Sequence, residues 1–339
     1  MKVSINALHS GGRRGGALLA VLWLSAALAA IAFSAAQTVR AERDRTANLV
    51  DGTRAALLAS AGVERGLLYL QWGPGTPLPD GRPRFWAPGM PFLRFSFPSG
   101  EALVEIIPES SKLSVNVTPP DLLARLIVAL GYPPPLAASV AAAIVDWRSP
   151  YAPETALDPL YLRLNPTFRV PHASFQQIEE LSSVYGMTPE LLYGRVERAP
   201  DGNWVPRAGL RDCLSVYGGN GSFDINSVQP AVMLAAGVPP DAVPAVVALR
   251  RHAPIVFEQL RSLAAMLGPA AARFVIGGDK VYTIRATARI CKPNGGLSDL
   301  RRTATLTVLL SPTYSLGGYR ILDARSGPAA RPMEETWPW

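Results

Sequence analysis

The sequence predicts an α+β fold in which a long N-terminal helix packs on an antiparallel sheet and a large all-helical domain is inserted. Three observations predict it. An uncharged apolar run near the N-terminus continues into helical periodicity, two stretches with strand-like alternation lie far apart, and the segment between them is rich in helix signals. A chain of 339 residues has room for such a helix and two domains of ordinary size.

The N-terminal apolar run can span a membrane. No residue from Gly16 to Ala36 is charged, and at helical rise this run is about 30 Å long, which matches the hydrocarbon core of a bilayer. Three interpretations fit it: a plain transmembrane anchor, a secretory signal cleaved after Ala32 or Ala36, or a prepilin-type leader cut after Gly15. The run is longer than the roughly 7 to 15 apolar residues of a secretory signal.

Helical character continues beyond the apolar run. Apolar residues recur at helical spacing on one face at Val50, Leu57, Ala61 and Leu68. The sequence therefore predicts a helix over residues 16–72, with 16–36 transmembrane, ended by Gly73-Pro74-Gly75. A helix that is retained favours the prepilin interpretation, in which residues 1–15 form the cleaved leader.

Strand-like alternation marks two separate regions that we assign to one sheet. Residues 73–115 hold the first part, and residues 223–325 hold the second. The clearest signals run from Tyr282 to Ile290 and from Ala304 to Leu310, where apolar residues alternate with Thr and Arg. The Pro-rich, polar tail at 326–339 is predicted to be disordered.

Residues 116–222 are predicted to form the inserted helical domain. A weak repeat links this domain to a later stretch, since Asn116 and Asn226 each precede a helix, a glycine turn at Gly131 or Gly237, and a second helix. Such pairs resemble helix-hairpin-helix units, which grip DNA phosphates through turn amides. Prolines in both turns remove amides that phosphate binding needs, so we interpret the pairs as packing modules.

Composition argues against several classes of function. The net charge of +7 is spread along the chain, and no Lys/Arg run is dense enough to follow a phosphate backbone. With three histidines and no CxxC pair, a zinc site is not expected. The sequence lacks the Gly-x-Ser-x-Gly, phosphate-loop and His-Glu-x-x-His motifs, so we expect no enzyme. Cys213 and Cys291 either form a disulfide or stay as two buried thiols.

Several motifs together resemble the minor pseudopilin family of the type II secretion system known as general secretion pathway protein K. The motifs occur in the family's order at Arg14–Trp23, Val63–Leu70, Val115–Val117, Ile144–Trp147, Gly186–Leu191 and Asp224–Asn226. They cover roughly residues 13 to 325. The resemblance implies a pilin-like fold with a large helical insertion.

The resemblance also implies how the chain is processed and placed. Prepilin peptidase would cut between Gly15 and Gly16, leaving Gly16 as the first residue. Most pseudopilins carry a Glu at mature position five, which this family lacks, and Ala20 stands there in this chain. The implied protein is anchored in the inner membrane by a single span, has its head in the periplasm, and has the other minor pseudopilins as partners.

Calcium is the one cofactor that the resemblance raises. Some relatives bind it through acids after the Asp-Trp motif. Here Asp146 is followed by Arg148, and only Glu154 and Asp158 remain nearby as carboxylates.

The function expected from the sequence is that of a minor pseudopilin at the tip of the pseudopilus, which initiates or caps its assembly for protein export across the outer membrane. The alternative is a membrane-tethered or secreted DNA-binding protein that uses the two helix-hairpin-helix units.

Overall fold

The computed structural model describes most of the chain in two compact units, which divide after Arg54. The described residues are 14–73, 75, 78–79, 83–90, 92–153, 157–198, 202, 204–218, 221–277, 280–292, 294–311 and 318–328. The greater part of the predicted leader, residues 1–13, lies outside this set.

The predicted long N-terminal helix is present as α1, Arg14–Trp72. It contains no proline and many Ala and Leu residues, which suits an uninterrupted helix. Within the first unit, Glu42 pairs with Arg45 at 3.7 Å and Asp51 with Arg54 at 3.9 Å. These pairs are exposed, so they contribute little to the stability of the helix.

The second unit contains a five-stranded antiparallel sheet. With strands numbered along the chain, its members are β1 Leu93–Phe97, β2 Gly100–Pro108, β9 Val281–Ile290, β10 Arg302–Leu310 and β11 Tyr319–Pro328. They lie side by side in the order β1-β2-β9-β10-β11. The two strands predicted most clearly, β9 and β10, lie side by side in the middle of this sheet. The α+β fold class is therefore confirmed.

The C-terminal part of α1 packs very closely on one face of the sheet. A Cβ atom added at Gly62 would lie 2.9 Å from the Cβ of Ala102 and 3.1 Å from that of Ala286. One added at Gly66 would lie 2.9 Å from Cγ1 of Val104. The helix can approach this closely because glycines face small residues on the strands.

The helical domain lies between β2 and β9 in the chain. Its helices are α2 Pro120–Ala129, α3 Pro134–Arg148, α4 Asp158–Tyr161, α5 Pro189–Tyr193, α6 Leu210–Cys213, α7 Pro230–Ala236, α8 Ala242–His252 and α9 Phe257–Leu267. Short strands accompany them: β3 Leu113–Ser114, β4 Arg195–Arg198, β5 Trp204–Arg207, β6 Leu214–Ser215, β7 Phe223–Asp224 and β8 Phe274–Val275. Among the described residues of this domain, 3₁₀ turns lie at Glu109–Ser111, Ile178–Ser183 and Gly268–Arg273.

The structure extends the helical domain well beyond the predicted boundary at residue 222. A single hydrophobic core runs from Leu113 to Phe274 and includes α7 and α8, which the sequence pattern places in the sheet region at 223–325. The reason is that α7 contacts α2 directly, so both helix pairs bury their apolar faces in the same core. The first part of the sheet region, predicted as 73–115, likewise ends earlier, with β2 at Pro108.

The last strand also runs further than we predicted. Thr303 pairs with Gly327 and Arg302 with Pro328, so Ser326 to Pro328 belong to β11 rather than to a disordered tail. Residues 329–339 lie outside the described residues.

Candidate assembly site

The N-terminal part of α1 carries a continuous exposed apolar surface. The large apolar side chains that it exposes are Leu18, Leu19, Val21, Leu22, Trp23, Leu24, Leu28, Ile31 and Phe33. By length and composition, α1 is the one helix among the described residues that could cross a membrane. This surface fits the predicted single-pass anchor.

The residues predicted for processing and assembly lie at the start of α1. Gly15 and Gly16 are within the helix, which begins at Arg14. Ala20 is exposed on the apolar surface. Its methyl group carries no hydrogen-bond acceptor, so this position cannot accept the N-terminal amine of a neighbouring subunit as a Glu would.

Further along α1, the face that points away from the sheet carries a stripe of exposed apolar side chains. Leu57, Leu68 and Trp72 are exposed, while Leu58 and Leu67 are buried against the strands. Leu57 and Leu68 are three helical turns apart and therefore lie on one face. We name Leu57, Leu68 and Trp72 the outward face of α1, and its character suits packing against another helix.

A buried polar cluster joins the sheet to the helical domain. The Glu109 carboxylate accepts hydrogen bonds from Lys112 at 2.9 Å and from the Thr283 hydroxyl on β9 at 2.6 Å. Burial raises the pKa of Glu109, but the charge of Lys112 and hydrogen bonds from Ser215, Thr283 and Lys112 outweigh it and leave the pKa below its ordinary value. The cluster thus holds a charged carboxylate where the two parts meet.

The weak repeat in the sequence corresponds to two matching asparagine bridges. Asn116 donates to the Phe175 carbonyl at 3.0 Å and accepts from the Phe175 amide at 2.8 Å. Asn226 makes the same pair of bonds to Ile255, at 3.0 and 2.8 Å. Each asparagine lies between a short strand and the first helix of its helix pair. Its hydrogen bonds therefore hold this point of the chain against the segment that follows the second helix of the pair.

Two arginines complete this repeated arrangement. Arg148, at the end of α3, donates to the carbonyl oxygens of Val115 and Thr118. Arg250, near the end of α8, donates to those of Ile225 at 3.1 Å and Val228 at 2.7 Å. Burial lowers the pKa of Arg250 to about 10, although the charge of the nearby Asp224 opposes this effect.

The glycine turns of the two helix pairs use their amides internally. The Gly131 and Tyr132 amides donate to the carbonyls of Val128 and Ile127, at 2.9 and 3.3 Å. The Gly237 amide donates in the same way to the Leu234 carbonyl at 3.0 Å. These amides are therefore not available to phosphates, in addition to those that the prolines remove.

The residues predicted for calcium are engaged in other contacts. Asp146 Oδ2 accepts from the Leu157 amide at 3.2 Å, and Asp158 Oδ1 lies 3.3 Å from Nε2 of His172. Glu154 lies outside the described residues. Among the residues that are described, no group of three His, Cys, Asp or Glu side chains could hold a metal ion. Without Glu154, Asp146 and Asp158 alone do not make a calcium site, and calcium binding stays a prediction.

The structure does not contain the disulfide that is one of the two alternatives for Cys213 and Cys291. Both residues are described and both are free thiols. Cys213 is fully buried in the core of the helical domain, whereas Cys291 is exposed just beyond β9. The alternative of two buried thiols therefore holds for Cys213 alone. Burial raises the pKa of the Cys213 thiol well above its ordinary value, so this cysteine stays protonated and unreactive.

Sequence reasoning missed several of the residues that hold this arrangement together. Glu109, Arg148 and Arg250 were not singled out, nor were the glycines at 62 and 66. One signal could have found the arginines, because each ends the second helix of a repeated unit that opens with an asparagine. The close approach at the glycines has no comparable signal in one sequence.

Comparisons with known proteins give two matches. Residues 102–196 match the family model described as type II secretion system (T2SS), protein K. The chain is also similar to one in "The Crystal Structure of the GspK-GspI-GspJ complex from enterotoxigenic Escherichia coli Type 2 Secretion System", with 13% identity, a TM-score of 0.48, and coverage of 86% of this chain and 99% of that chain. A comparison with curated proteins finds no significant match.

The matched range contains three of the motifs on which the sequence resemblance rests. These are Val115–Val117 at the entry to α2, Ile144–Trp147 at the end of α3, and Gly186–Leu191 at the start of α5. The resemblance to the protein K family that the sequence predicted is thereby confirmed for residues 102–196, which are similar to protein K of the type II secretion system.

Proposed function

We propose that this chain is a minor pseudopilin at the tip of the type II secretion pseudopilus, where it initiates or caps assembly for protein export across the outer membrane. The observation that carries the proposal is the side chain of Ala20, which is a methyl group on the apolar anchor. The same chain matches protein K over residues 102–196. A subunit that lacks a carboxylate at this position cannot pair with the N-terminal amine of a neighbouring subunit, as other pseudopilins do during assembly. That restriction suits a subunit at the tip, which has neighbours on one side only.

The anchor and the outward face of α1 support the same proposal. The apolar start of α1 would hold the subunit in the inner membrane before assembly, with the head in the periplasm. The outward face would then pack against the helices of neighbouring subunits. The named partners in the similar complex, GspI and GspJ, indicate which neighbours to test first. We include prepilin peptidase as the enzyme that cuts between Gly15 and Gly16.

The proposed role is structural rather than catalytic. Side-chain clusters of the head, such as those around Glu109 and Asn226, connect distant parts of its own chain. The alternative DNA-binding function has no support from the turns, since their amides donate to carbonyls of the preceding helices.

The position at the tip can be tested by labelling the head. Cys291 is exposed and Cys213 is fully buried, so a maleimide-linked gold particle will react with Cys291 alone. We expect one particle at one end of each assembled pseudopilus in electron micrographs. Particles along the shaft would contradict the proposal. A Cys291→Ser chain assembled with the same partners gives the background of unspecific labelling.

A further inference from the structure

The inserted helical domain is joined to the sheet through two neighbouring strands. The chain enters the domain after Pro108, at the end of β2, and returns to the sheet near Tyr282, at the start of β9. These two residues are directly paired in the sheet. We name the pair Pro108 and Tyr282 the neck. The segment before β1 lies beside it, since the ring centre of Trp86 is 5.7 Å from that of Tyr282 and Gly89 packs against Pro254 of the helical domain.

The apolar cores on the two sides of the neck are separate. Among the described residues, the buried apolar side chains of α1 and the sheet form one cluster, and those of the helical domain form another. None of these residues belongs to both clusters. A part of a chain that has its own core can move as one body unless a large apolar contact holds it to its neighbour.

The contact between the sheet and the helical domain is made largely by polar groups. Thr283 and Arg285 on β9 alternate with the core positions, so their side chains point away from α1. Arg285 pairs with Glu105 on β2 at 2.5 Å, and Thr283 bonds to Thr307 on β10 at 2.9 Å. The charge of Glu105 raises the pKa of Arg285, and the charge of Asp212 on α6 adds to this effect. A charged group of the helical domain therefore lies near this polar face of the sheet.

An ion pair closes the contact at the edge of the sheet. Glu179, in the Ile178–Ser183 turn of the helical domain, pairs with Arg325 on β11 at 2.5 Å. Strand β11 is an edge strand and lies two strands from β9, a distance of about 10 Å. Burial raises the pKa of Glu179, but hydrogen bonds and charges, mainly those of Arg325, outweigh it and leave the pKa below its ordinary value. We name the Glu179–Arg325 ion pair the latch.

The latch is incompletely satisfied in the closed contact. The Oε2 atom of Glu179 is buried and accepts no hydrogen bond from any group in the described part of the chain. Arg211 lies 3.9 Å from the other oxygen, Oε1, and Arg325 is shared with Asp323 at 2.7 Å. A buried carboxylate oxygen without a donor is costly, and contact with water would satisfy it. Separation of the latch therefore restores hydration to Glu179.

We propose that the helical domain turns about the neck as a rigid body, and that the latch sets the balance between a closed and an open state. The structure is the closed state. In the open state, Glu179 and Arg325 separate while both apolar cores stay intact. The bond from Thr283 to Glu109 lies beside the neck, where the movement is smallest. A minor state of this kind typically has a population of about 0.1 to 10%. This inference does not depend on the proposed role in the pseudopilus.

Distances between spin labels in the full, detergent-solubilised chain test the proposal. In a Cys291→Ser background, where the remaining Cys213 is fully buried, labels at Ser182→Cys and Ile321→Cys report the distance between the helical domain and β11. Both positions are exposed. We expect one main distance in this parent chain. Adding Glu179→Gln, which removes the charge of the latch, should increase the population of a second, longer distance at least fivefold.

Two controls separate rigid movement from loss of structure. Glu190→Gln removes an exposed charge from the same domain and should leave the distances unchanged. Labels at Ser182→Cys and Leu249→Cys, which both lie in the helical domain, should give the same distance with and without Glu179→Gln.

A salt series on the parent chain needs no variant of the latch. Raising the NaCl concentration from about 0.05 to about 1 M should also increase the population of the longer distance, because salt screens a partly exposed ion pair. If the parent chain does not respond to salt, the ion pair does not hold the contact closed and the proposal is overturned.

Three results with the variants would also overturn the proposal. A single, unchanged distance in Glu179→Gln would mean that the joint is rigid. A longer distance that appears equally in Glu190→Gln would mean that the latch does not control the balance. A broadened distance within the helical domain would mean that the domain unfolds rather than turns.

Discussion

The head contains two cores that are held together by different means. Where α1 meets the sheet, glycines face alanines and a valine at distances that leave no room for another methyl group. In the helical domain, by contrast, buried asparagines and arginines bond to backbone carbonyls and amides of distant segments. The first core depends on shape and the second on hydrogen bonds with a fixed direction.

This difference teaches where each core is vulnerable. A close helix-sheet contact tolerates the loss of a small group but not the addition of one, because packed interiors cannot expand cheaply. A backbone bridged by a side chain tolerates changes of volume nearby but not the loss of the bridging polar atoms, which leaves buried groups without partners. The predictions that follow use this contrast.

The largest effect is expected from Asn226→Ala. This change leaves the amide and the carbonyl of buried Ile255 without partners, which costs about 4 kcal/mol at about 2 kcal/mol for each group. Asn116→Ala should cost about half as much because Asn116 is only partly buried. Chemical unfolding of the solubilised chain, followed by circular dichroism, measures both. Asn294→Ala, in an exposed turn, is the control. Equal losses at Asn226 and Asn294 would show that the bridges do not hold the domain.

Gly62→Leu is expected to destabilise the other core by about 3 kcal/mol, since the added side chain meets the Cβ atoms of Ala102 and Ala286. Ser60→Leu adds a side chain of the same size on the exposed side of α1 and should change the unfolding free energy by less than about 0.5 kcal/mol. The same unfolding experiment compares them. If both variants are as stable as the parent chain, the contact between helix and sheet is looser than described.

Glu109→Gln tests the polar cluster between the two cores through its pH dependence. The pKa of Glu109 is lower in the folded chain than its ordinary value, so the group stabilises the fold above its unfolded pKa of about 4.3 and loses this effect as the pH falls further. We expect the variant to be about 1 kcal/mol less stable at pH 7. The difference should shrink below about pH 4.3. The control is Glu64→Gln at an exposed position, which should show no such difference in stability. If the loss of stability in Glu109→Gln instead grows as the pH falls, Glu109 does not stabilise the fold as a charged carboxylate.

The smallest effect on stability, with a clear effect on assembly, is expected from Leu57→Gln. Leu57 is 66% exposed, so its replacement should change the unfolding free energy by less than about 0.5 kcal/mol. If the outward face of α1 packs against the helices of other minor pseudopilins, as we propose, copurification with them should nevertheless fall severalfold. Leu249→Gln, at an exposed position on α8, should leave copurification unchanged. Equal copurification of both variants would place the partner surface elsewhere.

The sequence was sufficient to predict the elements whose pattern is local. Periodicity predicted α1, alternation predicted β9 and β10, and the Asn and Gly signals predicted both helix pairs. Each of these patterns lies within a single segment, which therefore contains all the information that the prediction needs. On α1 the periodic residues Val50, Leu57 and Leu68 predict the helix but are exposed, so they do not mark the face that packs on the sheet.

The parts that the sequence did not predict depend on contacts between distant segments. The boundary at residue 222 was wrong because α7 shares a core with α2, and nothing in α7 itself shows which core covers it. Whether Cys213 and Cys291 pair depends on how close the fold brings two residues 78 positions apart, from 213 to 291, which the sequence alone does not show. The role of Gly62 follows from alanines on two strands, which only the assembled sheet brings together.

The central claim, that α1 is a retained pseudopilin helix, is tested most directly by the mass of the membrane-extracted chain from cells with and without prepilin peptidase. The account predicts loss of residues 1–15 only when the peptidase is present, with Gly16 as the new N-terminus. A cut after Ala32 or Ala36, or an intact N-terminus in both cells, would contradict it.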